Sequence, residues 1–347
     1  MTTYISGGSN SLLGNGWTHY FYGLREEPVD NLAIGASPSM MAAYRAMFTV
    51  DLEPGDTLIW EYAINDVDYV DTGFYHSDYL LGFVEHIIIH CQRLGVFMAP
   101  VIFKPLREEK RVVPSRHYRK LKQLFAHHGV EAYDFSEAYR AELGVDTLPP
   151  SFYEDGYHYT RTPEAMGFIA AGVSDAVDLK RIPIQTSPIY AESDGLKFYN
   201  GFCDARFTNE ILDLPVASMP FEIEMEPDEA LAAILIITSP LGGAFSVETE
   251  TATANFSAVY KQLAQMKGQA KFTRPLLKVF GCERSVQRKW FINPDDPVKF
   301  SWADGSGPFY ADQGMKPTLD DEESEGRKAL IVGVMTETGV YANRLGV

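Results

Sequence analysis

The sequence has little positive charge. Its 30 lysine and arginine residues face 47 aspartate and glutamate residues, so the formal net charge is -17 at pH 7. Proteins that bind a polyphosphate backbone without regard to its sequence need clustered cations, because this binding depends on the release of counterions. We therefore expect no nucleic-acid partner.

Cysteine is also scarce. The three cysteines, Cys91, Cys203 and Cys282, are odd in number and lie far apart in the chain. This pattern excludes a closed disulfide framework and the short spacings of a zinc site. The histidine spacings do not indicate a metal site either. We expect free thiols in a reducing compartment and no bound metal.

Long hydrophobic runs are absent. No window reaches the ~18 uninterrupted apolar residues that a membrane-spanning helix needs. The first residues, Met1 to Ser6, contain neither the cationic region nor the apolar region of a secretory signal. These absences predict a cytoplasmic protein without a membrane partner.

What the chain does contain is enough apolar material for two cores. Of its 347 residues, 46% are hydrophobic and 22% are charged, as in globular proteins. Because single cores stop growing near ~250–300 residues, this length predicts two domains. We place them at residues 1–180 and 181–347.

The first domain alternates short apolar runs with helical patterns. The apolar runs predict strands at Tyr4–Ser6, Asn31–Ile34, Asp56–Tyr62, Val96–Phe103 and Val130–Phe135. Apolar residues at three- and four-residue spacing predict helices at Met40–Phe48, Tyr79–Leu94, Ser115–His128 and Ala165–Val177. Such alternation is typical of an α/β domain with a parallel sheet covered on both faces.

The second domain changes to runs that alternate apolar and polar residues. Examples are Phe221–Met225, Ala233–Ile237, Ala244–Glu248, Val298–Trp302 and Ala329–Val332. Strands of this kind, separated by Gly, Pro and Asp turns, predict a mostly antiparallel β domain with a sandwich-like fold. We expect one helix in it, near Phe256–Met266.

Residues suited to acyl-transfer chemistry follow the predicted strands of the first domain. Ser9 follows two glycines at the end of the first strand, Gly35 follows the second strand, and Asn65 follows the third. Asp155 and His158 lie three residues apart before the last helix. Because the carboxyl ends of parallel strands form the sites of α/β sheets, we expect these residues to converge.

This order of motifs resembles the SGNH (GDSL-type) hydrolase family over residues 1–180, which implies a three-layer α/β/α fold. By that resemblance Ser9 is the nucleophile, His158 is its base, and Asp155 orients the imidazole. The backbone N–H groups of Ser9 and Gly35 and the side chain of Asn65 then form the oxyanion hole. Catalysis of this kind requires no cofactor.

Two positions depart from the family pattern. The acid that usually precedes the nucleophile is Gly8 here, and the glycine that usually stands two residues before the asparagine is Ala63. Neither departure removes a reacting group. They leave open how the turn around Ser9 is hydrogen-bonded.

Aromatic and basic side chains suggest contacts beyond the reacting groups. Trp17 and Tyr157 are candidates for stacking on a sugar, against the alternative that they are ordinary core or surface aromatics. Eight basic residues after the fourth predicted strand are candidates for an anion site, against the alternative of a solvated helix face. They are Lys104, Arg107, Lys110, Arg111, Arg116, Arg119, Lys120 and Lys122.

We interpret the chain as an esterase that removes O-acyl groups, chiefly O-acetyl, from a saccharide. A second interpretation is a polysaccharide O-acetyltransferase that uses the same acyl-enzyme, with acetyl-CoA as donor. A third is a non-catalytic glycan-binding protein on the same fold. The β domain is then an accessory, either glycan-binding or oligomerising, and the partner is an acylated saccharide or a small ester.

Overall fold

The computed structural model describes residues 1–191, 193, 195–208, 213–226, 229–239, 242–249, 252–259, 276–282, 297–303 and 329–338. They form two compact units, Met1–Glu192 and Ser193–Val347. The division lies after the residue 180 that the sequence indicates, because the segment from 181 to 191 bonds to the first unit. The Ile184 N–H donates to the His128 carbonyl at 2.9 Å, and the Glu85 carboxylate accepts the N–H of Ala191 at 2.6 Å.

A five-stranded sheet forms the centre of the first unit. Its strands are β1 (Thr3–Gly7), β2 (Val29–Asn31), β3 (Thr57–Glu61), β4 (Phe97–Ile102) and β5 (Tyr133–Asp134). They pair in the order β2-β1-β3-β4-β5, and every pair is parallel. The order changes direction between β1 and β3, so the carboxyl ends of these two strands border the crevice where sheets of this kind bind ligands.

Eight α-helices accompany the sheet within the first unit. They are α1 (Trp17–Tyr22), α2 (Ser39–Phe48), α3 (Ala63–Asp71), α4 (Ser77–Leu94), α5 (Leu106–Glu109), α6 (Arg116–His127), α7 (Phe135–Leu143) and α8 (Pro163–Asp178). Helices α1 and α7 pack with α8, whereas α2, α3 and α6 pack with α4. Two groups of helices around one parallel sheet confirm the predicted three-layer α/β/α domain.

The structure corrects two predicted strands. Strand β2 ends at Asn31 instead of Ile34. The N–H groups of Leu32 and Ile34 nevertheless donate to two backbone carbonyls of β1, at 2.8 and 3.0 Å. Strand β5 has only two residues, because helix α7 begins at Phe135. The Asp134 carboxylate caps that helix by accepting the Glu137 N–H at 3.2 Å.

The described residues of the second unit form antiparallel sheets. Its strands are β6 (Gly195–Tyr199), β7 (Ala205–Thr208), β8 (Asp213–Val216), β9 (Phe221–Ile223), β10 (Ala230–Thr238), β11 (Ala244–Thr249), β12 (Ala252–Ser257), β13 (Leu276–Gly281), β14 (Val298–Trp302) and β15 (Leu330–Thr338). One sheet has the order β13-β10-β15-β6, another has the order β12-β11-β14-β9, and β7 pairs with β8.

The two four-stranded sheets enclose one core. Ile234 and Val334 of one sheet share it with Phe245 and Phe300 of the other. This arrangement confirms the predicted antiparallel β domain. The predicted helix near Phe256–Met266 is wrong at its start, where Phe256 belongs to β12, and its remainder from residue 260 lies outside the described residues.

Two expected absences can be checked only within the described part of the chain. There, no helix has both the length and the apolar character needed to cross a membrane. Cys91, Cys203 and Cys282 are all free thiols, and two of them, Cys91 and Cys282, are buried.

Candidate active site

Ser9, His158 and Asp155 form a continuous hydrogen-bonded chain. The Ser9 Oγ atom lies 2.7 Å from His158 Nε2, and His158 Nδ1 lies 2.7 Å from Asp155 Oδ2. Ser9 begins a 3₁₀ turn that directly follows the carboxyl end of β1. A hydroxyl, an imidazole and a carboxylate in this order provide a nucleophile, a base and a group that orients the base.

A short loop holds the imidazole over the carboxylate. Asp155 Oδ1 accepts the backbone N–H groups of Tyr157 and His158 at 2.7 and 2.8 Å. Partial burial raises the pKa of Asp155, but the hydrogen bonds from His158 and these N–H groups outweigh burial and lower it overall. The Asp155 carboxylate is therefore ionised and can stabilise the positive charge that His158 gains when it takes a proton.

The same loop is tied to the turn that carries Ser9. The Asn10 side chain donates to the Tyr157 carbonyl at 3.3 Å, and the Arg161 guanidinium donates to the Gly14 carbonyl at 3.1 Å. Arg161 also forms an ion pair with Glu154 at 2.8 Å. These contacts fix the distance between nucleophile and base through elements distant in sequence.

Gly35 and Asn65 lie on either side of the Ser9 turn. A Cβ atom built on Gly35 would lie 3.4 Å from Ser9 Cβ, so this backbone approaches the nucleophile closely. Asn65 lies in the first turn of α3, which begins two residues after β3 ends. Its Oδ1 atom borders Gly8, where a Cβ atom would overlap it. The structure thus brings the five residues predicted for the triad and the oxyanion hole to one edge of the sheet.

The two departures from the family pattern have local explanations. Position 8 must be a glycine because the Asn65 side chain occupies the space that a Cβ atom would need. Ala63 is the first residue of α3 and is fully buried. A helical residue with no space around it is suited to a small side chain, and glycine is not required there.

A buried acid that the sequence analysis missed supports the Ser9 turn. Glu61, the last residue of β3, accepts the Gly8 N–H at 3.1 Å and the Ser11 hydroxyl at 2.8 Å, both at Oε2. Burial raises the pKa of this carboxyl to about 8, although both hydrogen bonds favour the ionised form. The only sequence signal is an acid that ends an otherwise apolar strand.

The predicted substrate contacts have different environments. Tyr157 is 37% exposed, and its hydroxyl donates to Asp68 at 2.8 Å and accepts from Arg107 at 3.0 Å. Trp17 is 1% exposed and packs edge-on against Phe21 and other rings of the core. The prediction that Trp17 contacts a substrate is therefore wrong, because its ring serves the packing of α1.

Most of the basic residues proposed as an anion site are paired with carboxylates. The ion pairs join Arg107 to Asp68 and Asp71, Arg111 to Asp71 and Glu108, Lys104 to Asp134, Lys120 to Asp78, and Lys122 to Asp134 and Glu137. Paired cations offer little free charge to an anionic ligand. The described residues also contain no group of three or more His, Cys, Asp or Glu side chains that could hold a metal ion.

Comparisons with known proteins extend over the whole chain at the level of fold. No family model and no curated protein matches the sequence. A solved two-domain esterase active on acetylated mannans matches with a TM-score of 0.57 and 9% identity, covering 99% of this chain and 92% of that one. At this identity the match establishes the fold, and it confirms the predicted combination of an α/β domain with a β domain.

Smaller solved structures match about half of this chain. An acetyl xylan esterase is 14% identical, with a TM-score of 0.42, and covers 51% of this chain and 100% of its own. A member of the lipolytic protein G-D-S-L family from Veillonella parvula is also 14% identical, with a TM-score of 0.41, and covers 50% of this chain and 97% of its own.

Proposed function

We propose that the protein is a serine esterase that removes O-acetyl groups from a saccharide. The observation that carries the proposal is the hydrogen-bonded chain from Ser9 Oγ through His158 to Asp155, with 2.7 Å at each link. The fold shared with an esterase active on acetylated mannans supports the choice of a carbohydrate ester. Five of the eight basic side chains considered for an anion site are paired with carboxylates, which weakens the case for the phosphates of an acyl-CoA donor.

The first half of the reaction forms an acyl-enzyme. Ser9 Oγ attacks the carbonyl carbon of the acetyl ester while His158 Nε2 takes the hydroxyl proton. Asp155 stabilises the imidazolium through its bond to Nδ1. The tetrahedral intermediate then collapses, His158 returns the proton to the sugar oxygen, and the deacetylated sugar leaves with Ser9 acetylated.

The second half releases acetate. Water takes the position that the sugar oxygen has left, and His158 removes its proton as it attacks the acetyl-serine. Collapse of this second intermediate breaks the ester bond to Ser9 Oγ, and the proton on His158 returns to that oxygen. Each half uses the same base, so the geometry at Ser9 serves both.

The negative charge of each intermediate is stabilised beside Ser9. We assign this role to the N–H groups of Ser9 and Gly35 and to the Asn65 side-chain amide. Donors of this kind are typically worth about 3–4 kcal/mol of barrier each, because they are already oriented when the charge develops. Tyr157, exposed next to the base, is the aromatic surface that we assign to the sugar.

The first test is trapping of the acyl-enzyme on Ser9. Wild type, Ser9→Ala and the matched exposed-residue control Ser187→Ala are incubated with p-nitrophenyl acetate and examined by intact-mass spectrometry. Wild type and Ser187→Ala should gain the mass of one acetyl group and release p-nitrophenol. Ser9→Ala should do neither.

The second test addresses the substrate class. Acetate release is measured from acetylated manno- and xylo-oligosaccharides and from a neutral aliphatic acetate of similar size. Release from the oligosaccharides should be faster in kcat/KM. Well-folded wild type that neither becomes acetylated nor releases acetate from any of these esters would refute the proposed function and favour a glycan-binding protein on this fold.

A further inference from the structure

The turn that carries Ser9 rests on a carboxyl group from the neighbouring strand. Glu61 Oε2 accepts one hydrogen bond from the Gly8 N–H, directly before Ser9, and one from the Ser11 hydroxyl, two residues after it. Glu61 and Ser11 are completely buried. The Gly8 N–H also donates to the Glu61 backbone carbonyl at 3.0 Å, so the side chain is a second acceptor for Gly8 and the acceptor for the Ser11 hydroxyl.

We propose that Glu61 is the positioning residue of the nucleophile turn and supplies from β3 the acid that position 8 cannot carry. The inference rests on the proposed function, because the turn matters to turnover only if Ser9 is the nucleophile. Glu61 acts through the backbone of Gly8 and the hydroxyl of Ser11. It does not contact the reacting atoms.

Packing around the two glycines explains why the acid comes from another strand. A Cβ atom on Gly7 would lie 2.9 Å from Glu61 Oε2 and would clash with the Ser11 hydroxyl. A Cβ atom on Gly8 would overlap Asn65. Side chains at both positions are therefore excluded by the acid and the amide, and Glu61 reaches the turn from β3 because β1 and β3 are adjacent and parallel.

The hydrogen bonds require an acceptor at Oε2 but no charge. Glu61 Oε1 is buried and has no hydrogen-bond partner in the described part of the chain. A protonated carboxyl with its hydrogen on Oε1 still offers Oε2 to both donors. Burial favours this neutral form, since it raises the pKa of the carboxyl to about 8. A glutamine side chain can make the same two bonds.

The experiment compares Glu61→Gln, Glu61→Ala and Ser11→Ala with wild type on p-nitrophenyl acetate. Glu61→Gln should keep kcat within about threefold of wild type, because the amide oxygen replaces Oε2. Glu61→Ala should lower kcat by about 30-fold or more with KM within about threefold, because misplaced groups lose transition-state stabilisation more than binding. Ser11→Ala, which removes one of the two bonds, should fall between them and remains informative if Glu61→Ala does not fold.

A readout without turnover separates this inference from the proposed function. In Glu61→Ala the Gly8 N–H keeps only its bond to the backbone carbonyl of position 61, so amide hydrogen exchange of the peptide that spans Gly8 should be faster than in wild type. It should be unchanged in Glu61→Gln and in the control Glu142→Ala, on an exposed face of α7. If Glu61→Ala folds with wild-type kcat and exchange, or if Glu61→Gln is impaired as strongly as Glu61→Ala, the inference is wrong. Slow exchange in an inactive wild type would refute only the proposed function.

Discussion

Among single residues, Gly8 and Asn65 are coupled, because the Asn65 side chain occupies the space that a side chain at position 8 would need. Asn65 Oδ1 occupies the volume next to Gly8, and within the described residues it has no hydrogen-bond partner. A buried amide oxygen without a partner is costly, so its position must be maintained by packing and by α3. We infer that a glycine is required at position 8 because only glycine leaves space for the Asn65 amide beside Ser9.

The coupling between these residues can be measured. Asn65→Ala should lower kcat by about 100-fold or more with little change in KM, as the loss of an oxyanion donor does elsewhere. Gly8→Ala should also lower kcat, because the new methyl group displaces the Asn65 side chain. The measurement is kcat and KM of wild type, both single variants and the double variant on p-nitrophenyl acetate.

The double variant tests whether Gly8→Ala lowers kcat by displacing the Asn65 side chain. If Gly8→Ala acts by displacing Asn65, it should lower kcat much less in the Asn65→Ala background than in wild type. The two losses of kcat are then not additive. Full additivity, with melting temperatures that show folded variants, would contradict the displacement. An Asn65→Ala loss below about tenfold would show that the oxyanion hole is assigned wrongly.

The ionisation of Glu61 predicts how stability depends on pH. In the unfolded chain the pKa of this carboxyl has its ordinary value of 4.5, and in the folded chain burial raises the pKa to about 8. Between these values the folded state retains a proton that the unfolded state has lost, so stability falls as pH rises through this window. Glu61→Gln carries no such proton and should gain stability relative to wild type.

The comparison of the two proteins isolates this group. The stability of Glu61→Gln minus that of wild type should increase between about pH 5 and 8 with a slope of up to about 1.4 kcal/mol per unit. Below about pH 4.5 the difference should be constant. Asp66, whose pKa burial raises to about 7, is present in both proteins and cancels. Urea unfolding at each pH gives the values, and a difference independent of pH would contradict the prediction.

The residues of the hydrogen-bonded chain from Ser9 to Asp155 could be predicted from the sequence, but the side chain that supports the Ser9 turn could not. Ser9, Asp155 and His158 stand at positions where the order of strands already gives the chemistry a place. Glu61 has no such signal, because an acid at the end of an apolar strand is normally read as the start of a turn. The prediction that Trp17 contacts a substrate was wrong for a related reason. The sequence does not indicate which face of a short aromatic helix is buried.

At the level of elements, long apolar patterns predicted the structure best. Helices α4 and α8 occupy nearly their predicted ranges because their apolar faces repeat over several turns. The shorter helices α1, α3, α5 and α7 were missed. Helix α7 follows an apolar run that extends the predicted strand, yet Asp134 and Glu137 provide the spacing of an N-terminal capping pair. That local signal is overridden when only hydrophobic periodicity is considered.

The segment that ends the first unit depends on one side chain of α4. The buried Glu85 carboxylate accepts the N–H groups of Ile189, Tyr190 and Ala191 and bonds to His128 at 2.9 Å. Burial raises the pKa of Glu85, but the bonds from His128 and these N–H groups outweigh it and lower the pKa overall. Glu85 is thus ionised when it holds the segment that ends the first unit.

Glu85→Ala should release this segment. Removal of the acceptor leaves several buried donors unpaired, which should cost about 3 kcal/mol of unfolding free energy. Trypsin cleavage after Lys180 and Arg181 should become faster than in wild type. The matched control is Glu142→Ala, an exposed helical glutamate on α7. Equal cleavage rates and equal urea midpoints for Glu85→Ala and the control would contradict this role of Glu85.

At the scale of the whole molecule, each unit has a core of its own. Strand residues such as Ile5 and Ile59 pack with α8 in the first unit, and the two four-stranded sheets share a separate core in the second. For the proposed saccharide esterase, the net charge of -17 favours neutral over anionic substrates, since an acidic chain repels anionic polymers at low salt. Every residue that we assign to the reaction lies before residue 192.

This separation predicts that residues 1–192 fold and react alone. The fragment contains the complete parallel sheet, its helices and the segment held by Glu85, so it should unfold cooperatively in urea. Its kcat/KM on p-nitrophenyl acetate should stay within about tenfold of the full chain, because small esters need only the groups around Ser9. A larger loss on acetylated oligosaccharides than on the small ester would assign a substrate contact to the second unit. A folded fragment that is inactive on both would mean that the reaction requires residues beyond 192.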